Sequence, residues 1–179
     1  HAENLAEYIT GLQITELCAD LTTFIPGRQL DDDGNILLRF DNGARGVMHA
    51  SQIAIGEENA LNIRVYGSKA GIEWHQEEPN SLIVKRLTEP IQVLRTAVGD
   101  LYPEAKAHWR FPSGHPEGYL EAFANIYRNF AYCLQARLSG TEVDPIYRDF
   151  PTVSDGVRGM RFIERVVASG NSDEKWLAF

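Results

Sequence analysis

Two kinds of hydrophobic periodicity divide this sequence, and their order constrains the fold more than any other feature. Between residues 13 and 98, apolar and polar side chains alternate with the period of two that strands show. Residues 116–140 and 152–170 instead repeat apolar side chains every three or four positions, as helices do. A short helix is also predicted over residues 2–10, and a last strand over residues 175–179. Because the helices are gathered at the two ends of a strand-rich segment, the pattern predicts an α+β fold.

Turn residues between the alternating segments predict how the strands pair. The sequences DNG at 41–43 and GSKAG at 67–71 each separate two such segments, and TEP at 88–90 separates a further pair. Consecutive hairpins form an antiparallel meander, so we expect an open, largely antiparallel sheet with the helices packed on one face. The other face is then available for oligomerisation.

Length and composition indicate the class of protein. With 179 residues, 44% of them hydrophobic, the chain is long enough to form one domain over residues 1–179 whose core needs no metal. The net charge of −8 argues against binding to nucleic acid or to an anionic membrane, and no apolar segment is long enough to cross a bilayer. Because the chain starts with histidine and not with methionine, we expect it to be part of a longer protein.

The two cysteines and the single acidic run receive simple interpretations. Cys18 and Cys133 form no CxxC pair and lie among apolar residues, which predicts two buried free thiols in a reducing compartment, the cytoplasm. The sequence DDDG at 31–34 lacks the alternating ligands and the distal glutamate of a calcium loop. It therefore predicts a solvated turn.

No motif in the sequence is typical of a cofactor or metal site. The GSKAG segment joins strand to strand, whereas a phosphate-binding loop joins a strand to a helix, so we expect no dinucleotide to bind to this chain by itself. The five histidines show no metal-ligand spacing, which predicts no metal. His49 and His75 fall within strand patterns and are predicted to be structural.

The segment 99–116 is the strongest candidate for a binding site. Its prolines and glycines interrupt all periodicity, and loops of this length are more often functional or mobile than idle. His115 lies directly before the predicted helix start at Pro116, where the helix dipole favours a neutral imidazole, although a capping or packing histidine is the alternative. Trp109 and Arg110 suit either of two roles: lining a pocket for a polar ligand, or packing the loop against the sheet.

Four motifs resemble those of one family. HAENLAEYITG at 1–11 resembles the segment that opens the second domain of the Gfo/Idh/MocA oxidoreductases, the family of glucose-fructose oxidoreductase and inositol dehydrogenase. NIRVYGSKAGIEW at 62–74, HPEGYLEAF at 115–123 and FPTVSDGVRGM at 150–160 resemble later motifs of the same family, in the same order. The resemblance therefore touches the whole chain.

The resemblance implies a fold, a reaction and a set of site residues. Family members have an N-terminal Rossmann domain that binds NAD or NADP and a C-terminal α+β domain that shapes the substrate site and contacts other subunits. Only the second is expected in this sequence. The resemblance makes His1 the catalytic histidine, acting with an aspartate and a lysine that would both lie upstream.

Further expectations concern substrate and assembly. His115, Trp109 and Arg110 would select which hydroxyl of a sugar, polyol or inositol-like substrate faces the cofactor. The fragment by itself is expected to be inactive and to bind no cofactor, and a homo-oligomer, a dimer or tetramer, is expected through the sheet face. Two alternatives stay open: a non-catalytic homo-oligomerisation domain and a stand-alone sugar-binding module. The residues encoded before His1 would distinguish these two alternatives from an oxidoreductase.

Overall fold

A computed structural model describes all residues from 1 to 179. In chain order the elements are α1 (Ala2–Thr10), β1 (Ile14–Thr22), β2 (Asp33–Phe40), β3 (Arg45–Ser51), β4 (Asn62–Tyr66), β5 (Gly71–His75), β6 (Ser81–Lys85), β7 (Gln92–Arg95), α2 (Pro103–His108), α3 (Tyr119–Ser139), a 3-10 turn (Pro145–Tyr147), α4 (Val153–Gly170) and β8 (Leu177–Ala178). They form two compact units, His1–Glu58 with Thr152–Phe179, and Asn59–Pro151.

The first unit contains a four-stranded antiparallel sheet, sheet 1, in the order β3-β2-β1-β8. The DNG sequence forms the predicted turn between β2 and β3, and Asn42 Oδ1 accepts the N–H of Ala44 at 2.9 Å. Alternate residues of β2 are buried, as the period of two predicts. Residues 177–178 add the last strand beside β1.

Helix α4 covers one face of sheet 1. Phe162 of α4 joins a buried cluster of β1 and β2 residues that consists of Ile14, Leu17, Ile36, Leu38 and Phe40. Gly170 ends the helix against Leu21, where an added Cβ would lie 2.9 Å from the leucine side chain. Ser169 Oγ accepts the N–H of Ala19 at 2.9 Å. The close approach therefore depends on small residues at the end of α4.

The second unit contains sheet 2, with strand order β4-β5-β6-β7, together with α2, α3 and the 3-10 turn. All neighbouring strands are antiparallel, as hairpins require. Helix α3 is the longest element, with 21 residues, and it ends at Gly140 in the left-handed conformation.

The α+β class, the open antiparallel sheets and the packing of a helix on one face of sheet 1 are confirmed. The strands form two four-stranded sheets, where the hairpin pattern predicts one meander. Residues 52–61, between β3 and β4, are too many for a tight hairpin, and alternation specifies which face a residue occupies without specifying the partner strand.

The predicted helix start at Pro116 is wrong, and so is the prediction that residues 99–116 are a loop throughout. Helix α3 begins at Tyr119, because Glu121 accepts the N–H of Gly118 at 2.8 Å and makes that glycine the N-cap. His115 therefore lies three residues before the N-cap, outside the first turn where the dipole acts. The segment also contains a short helix, α2, that starts with Pro103 at its first position.

The acidic run at 31–34 does not form the predicted solvated turn. Asp32 is only 3% exposed, and its carboxylate accepts the backbone N–H groups of Phe24 and Ile25 at 2.8 and 3.0 Å. The hydrogen bond from Phe24 lowers the pKa of Asp32 below its ordinary value. Asp32 thus braces the loop between β1 and β2 internally.

Three further features concern the cysteines, the side chains that could bind a metal, and the helices. Cys18 and Cys133 are free and half-buried, so their thiols are more exposed than predicted. No three acidic, histidine or cysteine side chains come together as metal ligands would. None of the helices has the length and apolar character that crossing a membrane requires.

Candidate functional site

His1 lies at the start of helix α1. It is exposed, and it occupies the N-cap position, where its backbone carbonyl accepts the N–H of Leu5 at 2.8 Å. Its imidazole makes no capping hydrogen bond. The other end of α1 stops at Gly11, whose φ of +66° and hydrogen bond to the carbonyl of Glu7 form a left-handed cap.

An ion pair with helix α4 sets the position of α1. The Arg158 guanidinium donates to both carboxylate oxygens of Glu7, and it donates a third hydrogen bond to the Ile14 carbonyl at 2.9 Å. Glu7 Oε1 also accepts the Ile14 N–H at 2.6 Å. The hydrogen bonds from Arg158 to Glu7 raise the pKa of Arg158. One charged pair therefore ties together α1, the start of β1 and α4.

Glu3 adds a second carboxylate to this cluster. Its side chain is 8% exposed, and Oε1 lies 3.9 Å from Arg158 Nε. Burial raises the pKa of Glu3, the negative charge of Glu7 raises it further, and the positive charge of Arg158 opposes both. Glu3 and Glu7 lie four residues apart and so share one face of α1, the face that turns towards Arg158.

A cavity of about 610 Å³ in the second unit contains the predicted residue His115. It is lined mainly by polar side chains, among them Gln76, Glu78, Asn80, Arg95, His115 and Glu117. His115 Nδ1 lies 3.2 Å from the carbonyl oxygen of Pro112, which assigns the proton of a neutral ring to Nδ1. Its Nε2 is then a hydrogen-bond acceptor.

Glu117 connects this cavity to the other predicted loop residues. Its Oε1 accepts the backbone N–H groups of Arg110 and Phe111 at 2.6 and 2.7 Å. Its own backbone forms a reciprocal pair with the side chain of Asn80, with distances of 2.8 Å from Nδ2 to the carbonyl and 3.1 Å from the N–H to Oδ1. Glu117 thus joins the segment 109–111 to the turn before β6.

Polar side chains of α3 hold the end of α2. Asn125 and Arg128 donate to the carbonyls of His108 and Ala107 at 2.6 and 2.8 Å, so the exposed end of α2 is satisfied by side chains of another helix. Asn129 is 1% exposed, and its Nδ2 lies 2.9 Å from His108 Nε2. These contacts fix the start of the segment that contains Trp109 and Arg110.

Comparison with known proteins identifies the family. The family model of the GFO/IDH/MocA C-terminal domain matches residues 1–73. YfiI of Bacillus subtilis (strain 168), an uncharacterised oxidoreductase, is 36% identical over 171 residues, which are 94% of this chain and 43% of that protein. The chain belongs to the Gfo/Idh/MocA C-terminal domain family. The predicted family is confirmed.

Solved structures agree with this family. An oxidoreductase from Sinorhizobium meliloti is 43% identical, with a TM-score of 0.91, over 97% of this chain and 49% of that one. An inositol dehydrogenase homologue from Azotobacter vinelandii, solved with NADH and myo-inositol, is 30% identical, with a TM-score of 0.88, over 99% of this chain and 48% of that one. The chain therefore spans about half the length of these relatives.

The four predicted site residues of this Gfo/Idh/MocA domain divide between the two units. Trp109, Arg110 and His115 belong to the second unit, where Glu117 lies between their two segments, and His1 belongs to the first. Trp109 is half-buried and Arg110 is exposed, with its guanidinium donating to Asn125 Oδ1 at 3.0 Å.

Sequence reasoning missed Glu117 and the polar side chains of α3. Polar residues at positions 125, 128 and 129 interrupt the apolar spacing of α3, and this interruption was a usable signal. No periodicity marks residue 117, and the available signal there was its place in the family-like segment 115–123.

A second charged cluster lies on sheet 2 and centres on Glu73. Its carboxylate accepts a hydrogen bond from Lys85 Nζ and lies 2.8 Å from His75 Nε2. Arg64 Nε lies 3.9 Å from the same carboxylate. The hydrogen bond from Lys85, followed by that from His75, lowers the pKa of Glu73 to about 2. His75 therefore has a structural contact, as its strand pattern predicts.

The Glu73 cluster predicts how stability changes with pH. A carboxyl group with a depressed pKa contributes stability above its unfolded pKa of 4.5, and the contribution is lost as the pH falls towards its folded pKa of about 2. Urea midpoints measured across this interval should fall less steeply for Glu73→Gln than for the wild type. Exposed Glu77→Gln is the control and should follow the wild type. Parallel slopes for Glu73→Gln and the wild type would contradict the assignment.

Proposed function

We propose that the chain is the substrate-binding and oligomerisation domain, over residues 1–179, of a nicotinamide-dependent oxidoreductase. The complete protein would act on a CH–OH group of a sugar, a polyol or an inositol-like compound. The observation that carries this proposal is the similarity along nearly the whole chain to an inositol dehydrogenase homologue solved with NADH and myo-inositol. Two further relatives are named as oxidoreductases. A cytoplasmic location stays a prediction.

In the proposed reaction a substrate hydroxyl becomes a carbonyl. The nicotinamide cofactor, NAD or NADP, supplies the hydride acceptor, and a protein base takes the O–H proton. We assign the base to His1, because a neutral imidazole accepts a proton near neutral pH. Its exposed position at the start of α1 supports the assignment, since the Arg158–Glu7 pair holds that helix in place.

The residues of this chain do not fit a nicotinamide-binding site. The glycine-containing segment at 67–71 closes the turn between β4 and β5, where the Gly67 N–H donates to the Ala70 carbonyl at 2.9 Å. A dinucleotide site instead needs a glycine-rich turn from a strand into a helix. We therefore expect the cofactor to bind another domain of the complete protein, and we expect the isolated chain to be inactive.

The substrate side of the proposal rests on the His115 cavity. Its volume of about 610 Å³ is in the range of small-molecule pockets, and its walls offer carboxylate, amide, guanidinium and imidazole groups to hydroxyls. We propose that His115, Trp109 and Arg110 contribute to recognition of the polyol.

The role of His1 predicts a loss of turnover in the complete gene product. His1→Ala should lower kcat for NAD-dependent oxidation of myo-inositol by about 10²- to 10⁴-fold, the usual contribution of a general base. Reduction of the nicotinamide is followed by its absorbance. His75→Gln is the matched control, because His75 contacts Glu73, and it should keep full activity. Unchanged turnover in His1→Ala would remove His1 from the reaction.

The face of sheet 1 opposite α4 supports a second proposed function, which is association with another copy of the chain. The strand register places Cys18, Leu37 and Val47 in one row across β1, β2 and β3, on the face opposite α4. Leu37 and Val47 are 44% and 77% exposed. We propose that this row is the centre of a symmetric dimer contact.

The charges beside this row are arranged for self-association. One neighbouring row contains Glu16, Arg39 and Arg45, and the opposite side contains Asp20, Asn35, His49 and Asp33. A two-fold axis along the apolar row would place the more basic side of one copy against the more acidic side of the other. Charge complementarity therefore supports a second copy as the occupant.

Charged substitutions in the row should prevent the association. Sedimentation velocity of the chain should show a dimer or tetramer for the wild type and a monomer for Val47→Asp and Leu37→Asp. Leu30→Asp, at an exposed residue outside the row, is the control and should behave as the wild type. A monomeric wild type, or oligomeric Val47→Asp and Leu37→Asp variants, would contradict the sheet-face contact.

A further inference from the structure

We infer that Glu117 is a positioning residue that holds the segment 109–111 beside the His115 cavity, and that the pair Glu117 and Asn80 shapes this cavity for a polyhydroxylated ligand. The inference rests on the proposed function, because that function supplies the ligand class. It adds two residues that neither the sequence pattern nor the family motif assigns to recognition.

Glu117 accepts two hydrogen bonds from the segment 109–111. Two consecutive backbone N–H groups, those of Arg110 and Phe111, converge on the single atom Oε1 at 2.6 and 2.7 Å. Hydrogen bonds to an ionised acceptor are stronger than neutral ones. Because this segment has no helix or strand of its own, its backbone has few other constraints.

The second step is that the same residue is itself fixed. Both main-chain polar groups of Glu117 are paired with the amide of Asn80, which lies in the turn before β6. Residues after Glu117 are held by the start of α3, where Gly118 donates to Glu121. The carboxylate therefore projects from a backbone that sheet 2 and α3 both restrain.

The third step is the anchoring of the segment from its other end. Asn125 donates to the His108 carbonyl at 2.6 Å and accepts from the Arg110 guanidinium at 3.0 Å. Trp109 is thus flanked by anchored residues on both sides, His108 and Arg110. Glu117 supplies the only anchor that also lines the cavity with His115.

The chemistry of the cavity suits a neutral ligand rich in hydroxyls. Carboxylates at Glu78 and Glu117 can accept hydrogen bonds from hydroxyls, Arg95 can donate them, and Asn80 and His115 also line the cavity. Glu77, Glu78 and Glu117 outnumber Arg95 in the lining, so the cavity does not favour an anion. A ring with hydroxyls in several directions can use donors and acceptors together.

The test compares two variants of Glu117 with a control, all in the complete gene product. Glu117→Ala removes the acceptor, whereas Glu117→Gln keeps a carboxamide oxygen that can still accept both N–H groups. Glu104→Ala removes an exposed carboxylate from α2 that has no bond to the segment, and it should behave as the wild type. Two readouts are needed: amide hydrogen exchange at Arg110 and Phe111, and calorimetric affinity with the Michaelis constant for myo-inositol.

The expected result links the two readouts. Glu117→Ala should speed exchange at both amides and weaken myo-inositol binding by about tenfold each, with KM raised and kcat retained, as loss of hydrogen bonds to a charged acceptor implies. Glu117→Gln should restore most of the slow amide exchange and most of the affinity for myo-inositol. Rescue by glutamine separates an acceptor role from general damage to the fold.

Each contrary result contradicts a different part of the proposal. If wild-type protein binds myo-inositol and Glu117→Ala binds it equally well, the positioning role is wrong and the proposed function stands. If exchange is unchanged in Glu117→Ala, or equally fast in the alanine and glutamine variants, Glu117 does not act as an acceptor for the segment. If wild-type protein binds neither myo-inositol nor any other polyol tested, the proposed function fails, and the ligand assigned to this cavity fails with it.

Discussion

The Arg158 guanidinium, held between the Glu7 carboxylate and the Ile14 carbonyl, is the contact on which the placement of His1 depends. Helix α1 has only nine residues, and isolated helices of that length are marginal in water. Its position must therefore come from tertiary contacts. The charged pair provides one, and breaking it would leave the carboxylates of Glu3 and Glu7 close together and partly desolvated, which is unfavourable.

The second unit solves a similar problem with an amide, a guanidinium and a carboxylate. Asn125 and Arg128 donate to the last two carbonyls of α2, and Glu117 accepts the N–H groups of the irregular segment that follows. A loop fixed by side chains can present Trp109 and His115 reproducibly. In both units the candidate functional residues are exposed or half-buried, and the residues that hold their segments do the structural work.

Much of the secondary structure follows from local signals. The helix at 2–10, the turn at 41–43 and the helix at 152–170 all form as predicted, because each depends on residues close in sequence. The division into two sheets was not predictable in this way, since alternation does not select a partner strand. The burial of Asp32 was not predictable from its neighbours either. Its carboxylate accepts the N–H groups of Phe24 and Ile25 from across a loop.

The candidate site was predictable in its segments and unpredictable in the contacts that support it. Glu117 and Arg158 stand in the family-like segments 115–123 and 150–160. Their hydrogen bonds to Arg110, Phe111 and Glu7 appear only after folding. Arg158 is 151 positions from Glu7, and no periodicity relates the two. Family motifs thus mark the segments, and the structure shows which of their side chains hold other segments in place.

A double-mutant cycle on Glu7 and Arg158 tests most directly whether this pair fixes the helix that begins at His1. Unfolding in urea is measured for Glu7→Gln, Arg158→Met and the double variant, together with hydrogen exchange at the Leu5 amide. A partly buried pair predicts a coupling energy of about 1 to 3 kcal/mol, with faster exchange at Leu5 in both single variants. A coupling energy below about 0.5 kcal/mol, in the range of exposed pairs, with unchanged exchange would contradict the central role of this contact.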